Sequence, residues 1–403
     1  MIDHVYVYLD DETGASRPAG EVFFTARAGR LVSSTFRYAT GYLASPTAFA
    51  IDPALSLHAG AQNVSGLPGV LQDCSPDRWG RNLIIKQARA TARIEHRTSP
   101  SLTDADFLLG VSDVTRQGSL RFRAETDGEF LAEGGNVPKL IELPRLLRAA
   151  DVVGRDDDLA AIKELLDAGT GSLGGARPKA SVRDSDHLFI AKFPHGSDEW
   201  DVVAWEKTAL DLAAKSGIRV PRCRLTKIQG RSVLLLERFD RRDGRRVAYI
   251  SAMTLLEAQD GDAHDYAEIA ETLSDVGAVT TEDLRELWRR IAFSVLINNT
   301  DDHLRNHGFL REPGGWRLSP AFDINPNPDP AVSRQTGIGG AYDWAGALDA
   351  LMTYAKEFRL TPKAAGETLD KVAAAVATWQ ESAALNGIRA GEVTRFADAF
   401  RLP

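Results

Sequence analysis

The run Asn298-Asn299-Thr300-Asp301-Asp302-His303-Leu304-Arg305-Asn306-His307 carries the densest set of chemically competent side chains in this chain. An aspartate five positions before an asparagine is the spacing with which a catalytic loop offers a base to a hydroxyl and an oxygen ligand to magnesium. Asp301 and Asn306 have that spacing, and Asp302 does not. A further oxygen donor follows in Leu318-Ser319-Pro320-Ala321-Phe322-Asp323-Ile324-Asn325-Pro326. Magnesium prefers hard oxygens from one or two side chains, completed by phosphate and water. Two other readings remain open here. Asp301, Asp302, His303 and His307 could ligate the metal of a hydrolase. The same residues could merely cap a helix end, and Asp323 could form an Asx turn.

Two upstream groups suit phosphate binding. Gly169-Thr170-Gly171-Ser172-Leu173-Gly174-Gly175-Ala176-Arg177-Pro178-Lys179 is glycine-rich, and glycines let backbone N–H groups approach an anion. It lacks the Gly-Lys-Ser/Thr ending of a Walker A loop. Lys192 lies in the apolar strand Phe189-Ile190-Ala191-Lys192-Phe193-Pro194, where an unpaired charge is costly. It either finds a partner or sits on an edge facing solvent. Glu206, on the following helix, could pair with it, and so could Glu199. A glycine-rich loop, a strand lysine, a helix glutamate, an apolar strand, Asp-x4-Asn and a later Asp form the order in which protein kinases hold ATP. Each piece is weak alone. The ordered series is much less expected by chance.

These residues need positioning elements. Residues 1–40 alternate like strands, with a hairpin turn over 10–14 and further strands at 21–24 and 31–38. The stretch 45–82 reads as ordered loop with short elements. A helix opens at Asp77 and runs through Ala88, another covers 103–110, and Gly118–Phe122 reads as a strand. Helices are predicted near 138–151 and 156–168, where Leu159, Ile162, Leu165 and Leu166 share a face. Strands follow at 187–193, 222–228 and 232–238, the last almost wholly apolar and so central. A helix separates the first two, over 199–216. Beyond about 246 the pattern is mostly helical, with candidates at 264–275, 281–298, 343–358, 362–385 and 389–400. The segment 311–342, rich in Pro, Gly and Asn, is too long for a simple connector and is a site candidate. The expected fold class is α+β: a two-lobed, protein-kinase-like fold with a β-rich N-terminal part and an all-helical C-terminal lobe. The expected division is a β-rich module over 1–125, an N-lobe over 126–240 and a helical C-lobe over 241–403.

Composition narrows the function. There are 48 basic and 56 acidic residues, a net charge of −8, which excludes a globally basic nucleic-acid surface. The arginines at 238, 241, 242, 245 and 246 read as a solvated turn. Two cysteines, Cys74 and Cys223, exclude a CxxC zinc site and fit a reducing compartment. The acidic N-terminus lacks a signal-peptide pattern, and no stretch approaches about 18 apolar residues. A cytoplasmic protein without membrane association is expected.

The sequence resembles the HipA family of serine/threonine kinase toxins from bacterial toxin–antitoxin systems. The segments that carry the resemblance are Ser172–Lys179, Ile190–Pro194, Leu236-Glu237-Arg238-Phe239-Asp240-Arg241, Asn299–Asn306 and Ser319–Ile324. The family's N-terminal module is matched by Phe36-Arg37-Tyr38, Leu67–Asp77 and Gly118–Phe122. The resemblance implies an ATP- and magnesium-dependent kinase. Asp301 would be its base and Lys192 its phosphate-binding lysine, with Ser172, Gly174, Gly175, Ala176 and Lys179 in the phosphate loop. Glu237 and Phe239 would hold the adenine, His303 would lie beside the phosphates, and Asn306 and Asp323 would bind Mg2+. Ser172 matches the serine that family members autophosphorylate, a change that adds about −1.5 to −2 charge.

The implied partners are a small helix-turn-helix antitoxin resembling HipB and a protein substrate, such as an aminoacyl-tRNA synthetase. Operator DNA would be met mainly through the antitoxin, and the cellular outcome would be growth arrest and persistence. Two departures stand out. Trp205 precedes Glu206 where the family usually has Asn, and Asp302 adds a carboxylate beside the base. That carboxylate could raise the base's pKa or contact magnesium. The alternatives are a small-molecule kinase using the same ATP site, or an inactive co-repressor partner of the antitoxin.

Overall fold

Residues 2–11, 13–133, 137–154, 158–169 and 177–403 are described by the structure, a computed structural model. The chain divides into two compact units. One comprises Met1–Ser197, Ile228–Arg231 and Leu235–Ile250; the other comprises Asp198–Lys227, Ser232–Leu234 and Ser251–Pro403.

The first unit begins with strands β1 (His4–Asp10), β2 (Ser16–Arg27), β3 (Arg30–Tyr38), β4 (Gln62–Ser65) and β5 (Leu120–Arg123). They form one antiparallel sheet in the order β4-β3-β2-β1-β5. The period-2 pattern turns Val5, Val7 and Leu9 inward, onto Val22, Phe24, Phe36 and Phe122. The β2–β3 turn closes on Arg27 opposite Arg30, and both central residues, Ala28 and Gly29, have positive φ. That is the tight turn whose twist matches paired strands. The helix Arg78–Ile94 starts where Asp77 Oδ1 accepts from Gly80 N at 2.7 Å, a cap for an otherwise orphan N–H. Helices Asp104–Gly110, Leu143–Val153 and Leu159–Asp167 fall where the periodicity places them.

Strand β6 (Lys179–Asp184), not anticipated from the sequence, pairs antiparallel with β7 (His187–Lys192). With β8 (Cys223–Ile228) and β9 (Arg231–Glu237) they run in the order β6-β7-β9-β8. Ser232 through Leu236 are all buried, so β9 is central as its composition requires.

The register sets Lys179 opposite Lys192, a like-charge pairing that would repel. Lys179 is 2% exposed, and its Nζ lies 2.5 Å from Asp77 Oδ2. Asp77 thus caps a helix with one oxygen and neutralises a buried lysine with the other. Asp77→Asn keeps the cap and removes the charge, so a loss of about 2 kcal/mol in urea unfolding is expected. An unchanged midpoint would show that the pair contributes nothing.

The arginine cluster departs from its reading as a solvated turn. Arg238 and Asp240 are buried, Arg241 and Arg246 are partly buried, and only Arg242 and Arg245 are exposed. Asp240 Oδ1 accepts from Arg238 Nε at 2.8 Å, and Asp240 Oδ2 accepts from Arg241 Nη1 at 2.9 Å and Gly118 N at 2.8 Å. The guanidiniums also donate to backbone carbonyls: Arg238 to Thr115 at 2.6 Å, Arg241 to Arg116 at 2.8 Å. Arg246 reaches Asp113 and Asp10. The loop 113–118 presents its carbonyls inward, and buried guanidiniums satisfy them. Spacing along the chain carried no sign of that loop.

The second unit holds helices Val202–Lys215, Tyr266–Val276, Thr280–Leu296, Trp344–Thr353, Pro362–Val376, Trp379–Leu385 and Ala390–Arg395. The helix expected over 362–385 breaks after Val376, and the last one ends at Arg395, followed by a 3-10 turn over Ala397–Ala399. Aromatic packing accompanies both breaks. Trp379 stacks on Phe400 at 4.4 Å, and Trp205 stacks on Phe396 at 4.0 Å. Large aromatic faces bury more apolar area than a continued exposed helix would. Nor is this part all-helical, as had been expected. Strands Gly308–Glu312 and Gly315–Leu318 form a hairpin around Pro313-Gly314, where Gly314 has φ +90°. Pro followed by a left-handed Gly is a type II turn. Among the described residues no helix is long and apolar enough to cross a membrane.

Candidate active site

The helix Thr280–Leu296 delivers the chain into the loop that holds Asp301. Asn298 turns it with φ +51°, a conformation that Asn tolerates better than most residues. Its side-chain amide donates to the carbonyls of Asn327 and Asp329, at 2.8 and 3.1 Å. Asn327 answers with its backbone N–H to Asn298 O and its side chain to Thr300 Oγ1. The start of the loop is therefore tied to the segment that follows Asp323.

Asn306 Nδ2 donates to the Asp301 carbonyl at 3.1 Å, so the five-residue spacing closes into one contact. The 3-10 turn Leu304–Asn306 and the bond from Asn306 N to His303 O shape the intervening chain. The hairpin then returns the chain, with Ser319 N bonded to Gly308 O at 2.8 Å, and Asp323 follows in a left-handed conformation, φ +56°. Strained backbone at an aspartate is characteristic of sites where direction matters more than stability. Asn306, Phe322 and Ile324 border one cavity together with Asp302, His307 and Arg290.

The two aspartates of the loop face different surroundings. The Asp301 carboxyl is pushed above the usual carboxylate range, chiefly by burial, with Asp323 and Asp302 adding repulsion and His303 opposing. Asp302 turns inward and is 9% exposed. Its Oδ2 accepts from the Tyr266 hydroxyl and, at 3.1 Å, from Ser294 Oγ; His307 Nε2 lies 3.0 Å from its Oδ1. Burial alone would raise this carboxyl, but His307, Tyr266 and Arg334 outweigh it and hold it well below the usual range. Asp302 is thus committed to the core and does not point out as a magnesium contact. The other anticipated effect, repulsion on the Asp301 carboxyl, is present.

Among the described residues no group of three or more His, Cys, Asp or Glu side chains is arranged to hold a metal. The hydrolase reading loses Asp302 and His307, which are spent on each other. Asn306 and Asp323 supply a carboxamide oxygen and a carboxylate, the hard donors that suit magnesium when phosphates complete the shell. His303 Nδ1 and Asn325 Oδ1 are buried and hydrogen-bond to none of the described residues. Buried polar atoms of this kind suit a polar ligand.

Lys192, Glu237, Phe239 and Lys179 lie in the first unit. Lys192 ends β7 half-buried. Glu237 ends β9, where its Oε1 meets His187 Nδ1 at 2.6 Å and the next residue, Arg238, donates its N–H to Leu188 O. Phe239 lies beside Tyr249, ring centres 6.3 Å apart. Lys179 is the buried partner of Asp77 described above. Ser172, Gly174, Gly175 and Ala176 lie outside the described residues. Glu206, in the second unit, is buried on the helix Val202–Lys215.

Sequence reasoning missed Tyr266, Asn327, Arg334, Gln335 and Thr336, all of which touch the loop or its supports. The length and composition of the segment 311–342 marked the region that supplies four of them, without distinguishing any one.

A family model, the HipA-like C-terminal domain, matches residues 171–379, just over half of the chain. The chain belongs to the HipA family. Every site candidate named above falls inside that HipA match. In fold the chain is similar to HipA of Shewanella oneidensis MR-1, solved in a toxin–antitoxin complex with HipB and operator DNA. The TM-score is 0.71 at 16% identity, over 98% of this chain and 94% of that one. The shared fold is the mixed α+β, protein-kinase-like one. In sequence, 231 residues are 25% identical to Y4mE of Sinorhizobium fredii (strain NBRC 101917 / NGR234), a protein named as a candidate kinase. The match covers 52% of this chain and 53% of that relative, so the chain spans about half the length of the curated relative it matches.

Proposed function

We propose that this HipA-family protein is an ATP- and magnesium-dependent kinase that phosphorylates a serine or threonine hydroxyl of a protein. The observation that carries this reading is the closed contact between Asp301 and Asn306 in a loop whose other carboxylate, Asp302, is locked away. Family membership and the kinase-like fold support it.

In the reaction, an Asp301 carboxylate oxygen accepts the proton as the hydroxyl oxygen bonds to the γ-phosphorus. The bond from that phosphorus to the bridging oxygen breaks, and ADP leaves with the electron pair. Burial and two neighbouring carboxylates raise the proton affinity of Asp301, which suits a base. Magnesium, held by Asn306 and Asp323, would neutralise the phosphate charge. Lys192 would contact the phosphates with His303, Glu237 and Phe239 would hold the adenine, and Ser172, Gly174, Gly175 and Ala176 would line the phosphates. The role proposed for Lys179 is to anchor that loop's end rather than to reach the nucleotide.

In this reading the protein is the toxin of a HipA/HipB-like pair. A small helix-turn-helix antitoxin restrains it and carries it to operator DNA. Its substrate is a cytoplasmic protein such as an aminoacyl-tRNA synthetase, and Ser172 is its own regulatory target.

Intact mass measured before and after incubation with Mg2+ and ATP tests the activity without knowing the substrate. The expected result is a gain of one phosphate that maps to Ser172 and is abolished by chelating the metal. Phosphate already present on Ser172 at purification carries the same meaning. ATP binding without phosphate on any residue would overturn the self-modification. Absence of both would leave a co-repressor.

A further inference from the structure

Three successive residues, Arg334, Gln335 and Thr336, grip the loop that carries Asp301. The Gln335 backbone N–H donates to the Thr300 carbonyl at 3.0 Å. Its side-chain Nε2 donates to Asp301 Oδ1 at 3.0 Å. Thr336 Oγ1 donates to the Asp302 carbonyl at 2.6 Å. Arg334 Nη2 donates to Ser294 Oγ at 2.9 Å, and that hydroxyl donates in turn to Asp302 Oδ2.

The grip is itself fastened. Thr336–Gly337 pairs in parallel with His264–Asp265, and Arg334 N donates to the Tyr342 carbonyl at 3.0 Å. Arg334 and Thr336 are buried while Gln335 between them is exposed, the alternation of an extended chain. Two of the three side chains therefore serve the core, and the middle one faces the carboxylate. Among the described residues, Gln335 Nε2 supplies the one hydrogen bond that the Asp301 carboxylate receives.

We propose that Gln335 is a positioning residue for the Asp301 carboxylate: it holds Oδ1 so that Oδ2 is the oxygen presented to the acceptor hydroxyl. A carboxylate without that bond can rotate about two side-chain torsions, and only some rotamers place an oxygen in line with an incoming hydroxyl. Fixing it from a separate, strand-like segment is what gives the direction. The grip also means that displacement of the segment 334–336 would release the base.

This inference rests on the reading of Asp301 as the base, so its test separates the two. Gln335→Met keeps length and shape and removes the donor. Hydrolysis of Mg·ATP with water as acceptor needs no protein substrate and serves as the assay. The expected result is a fall in kcat of about tenfold, with KM for ATP unchanged, because the contact acts on the base and not on the nucleotide. The same substitution in an Asp301→Asn background should cost nothing further, since Gln335 then has no base to position. Thermal stability of all four proteins guards against a folding effect. Equal losses in both backgrounds, or a loss confined to KM, would overturn the positioning role while leaving the base reading intact. Wild-type rate in Asp301→Asn would overturn both. Wild-type rate in Gln335→Met alone would overturn only the positioning role.

Discussion

Asp301→Asn is expected to slow phosphoryl transfer by about 10²–10⁴-fold, the range over which a positioned base contributes. Mg·ATP binding should stay within about twofold, because the reading places no nucleotide contact on this side chain. Asparagine keeps the volume of aspartate and a side-chain oxygen for Gln335 Nε2, and the backbone carbonyl that accepts from Asn306 is untouched. What is lost is the capacity to take a proton. The fold should not suffer, since the native carboxyl is already disfavoured by burial and by Asp323 and Asp302. Phosphate incorporation in single turnover, with calorimetry for binding, measures the two separately. A rate within tenfold of the parent would remove Asp301 as the base, and a parallel loss of binding would assign it to the nucleotide instead.

Asp240→Ala is expected to give the largest loss of stability, about 3–5 kcal/mol, because it leaves two guanidiniums without their carboxylate. Arg238 and Arg241 would keep their backbone carbonyls and lose Asp240, and Gly118 N would lose its acceptor. The same network sets a pH dependence. Burial works against the Asp240 carboxylate, but Arg238 and Arg241 outweigh it and hold the carboxyl well below its ordinary range. Its folded value lies below its unfolded one, so the unfolded state binds the proton more readily. The contribution is therefore complete above the unfolded value of about 3.9 and fades as pH falls below it. Urea midpoints taken from neutral pH downward check both parts. The difference between parent and Asp240→Ala should be constant at neutral pH and shrink in acid. A difference under about 1 kcal/mol at neutral pH would place Asp240 among ordinary surface pairs.

The contrast between the two aspartates of the loop shows how far the sequence could be read. The contact of Asp301 with Asn306 was legible because their spacing is fixed along one short loop, and short loops convert sequence distance into spatial distance with little freedom. Asp302 was not. Whether a neighbouring carboxylate points to ligand or to core depends on Tyr266, Ser294 and His307, contributed by two helices and the loop's far end. The arginines of 238–246 failed for the same reason. Five basic residues in nine positions look solvated until the backbone carbonyls of a distant loop are seen to need donors. Strand β6 escaped notice because it follows directly on the glycine-rich run and lacks clean alternation, being buried over four successive residues.

By itself, the sequence determined the α+β class, most element positions, the HipA resemblance and the five-residue spacing that brings Asn306 onto the Asp301 carbonyl. These rest on local periodicity and short-range spacing, which covalent geometry transmits directly. Tertiary structure alone decided the hairpin in the second unit, the break after Val376, the inward turn of Asp302, the Asp77–Lys179 pair and the hydrogen bond of Gln335 to the Asp301 carboxylate. Each joins residues remote in sequence, and each follows from satisfying a buried charge, a buried polar group or an aromatic surface. Those demands arise only when the chain has brought the partners together.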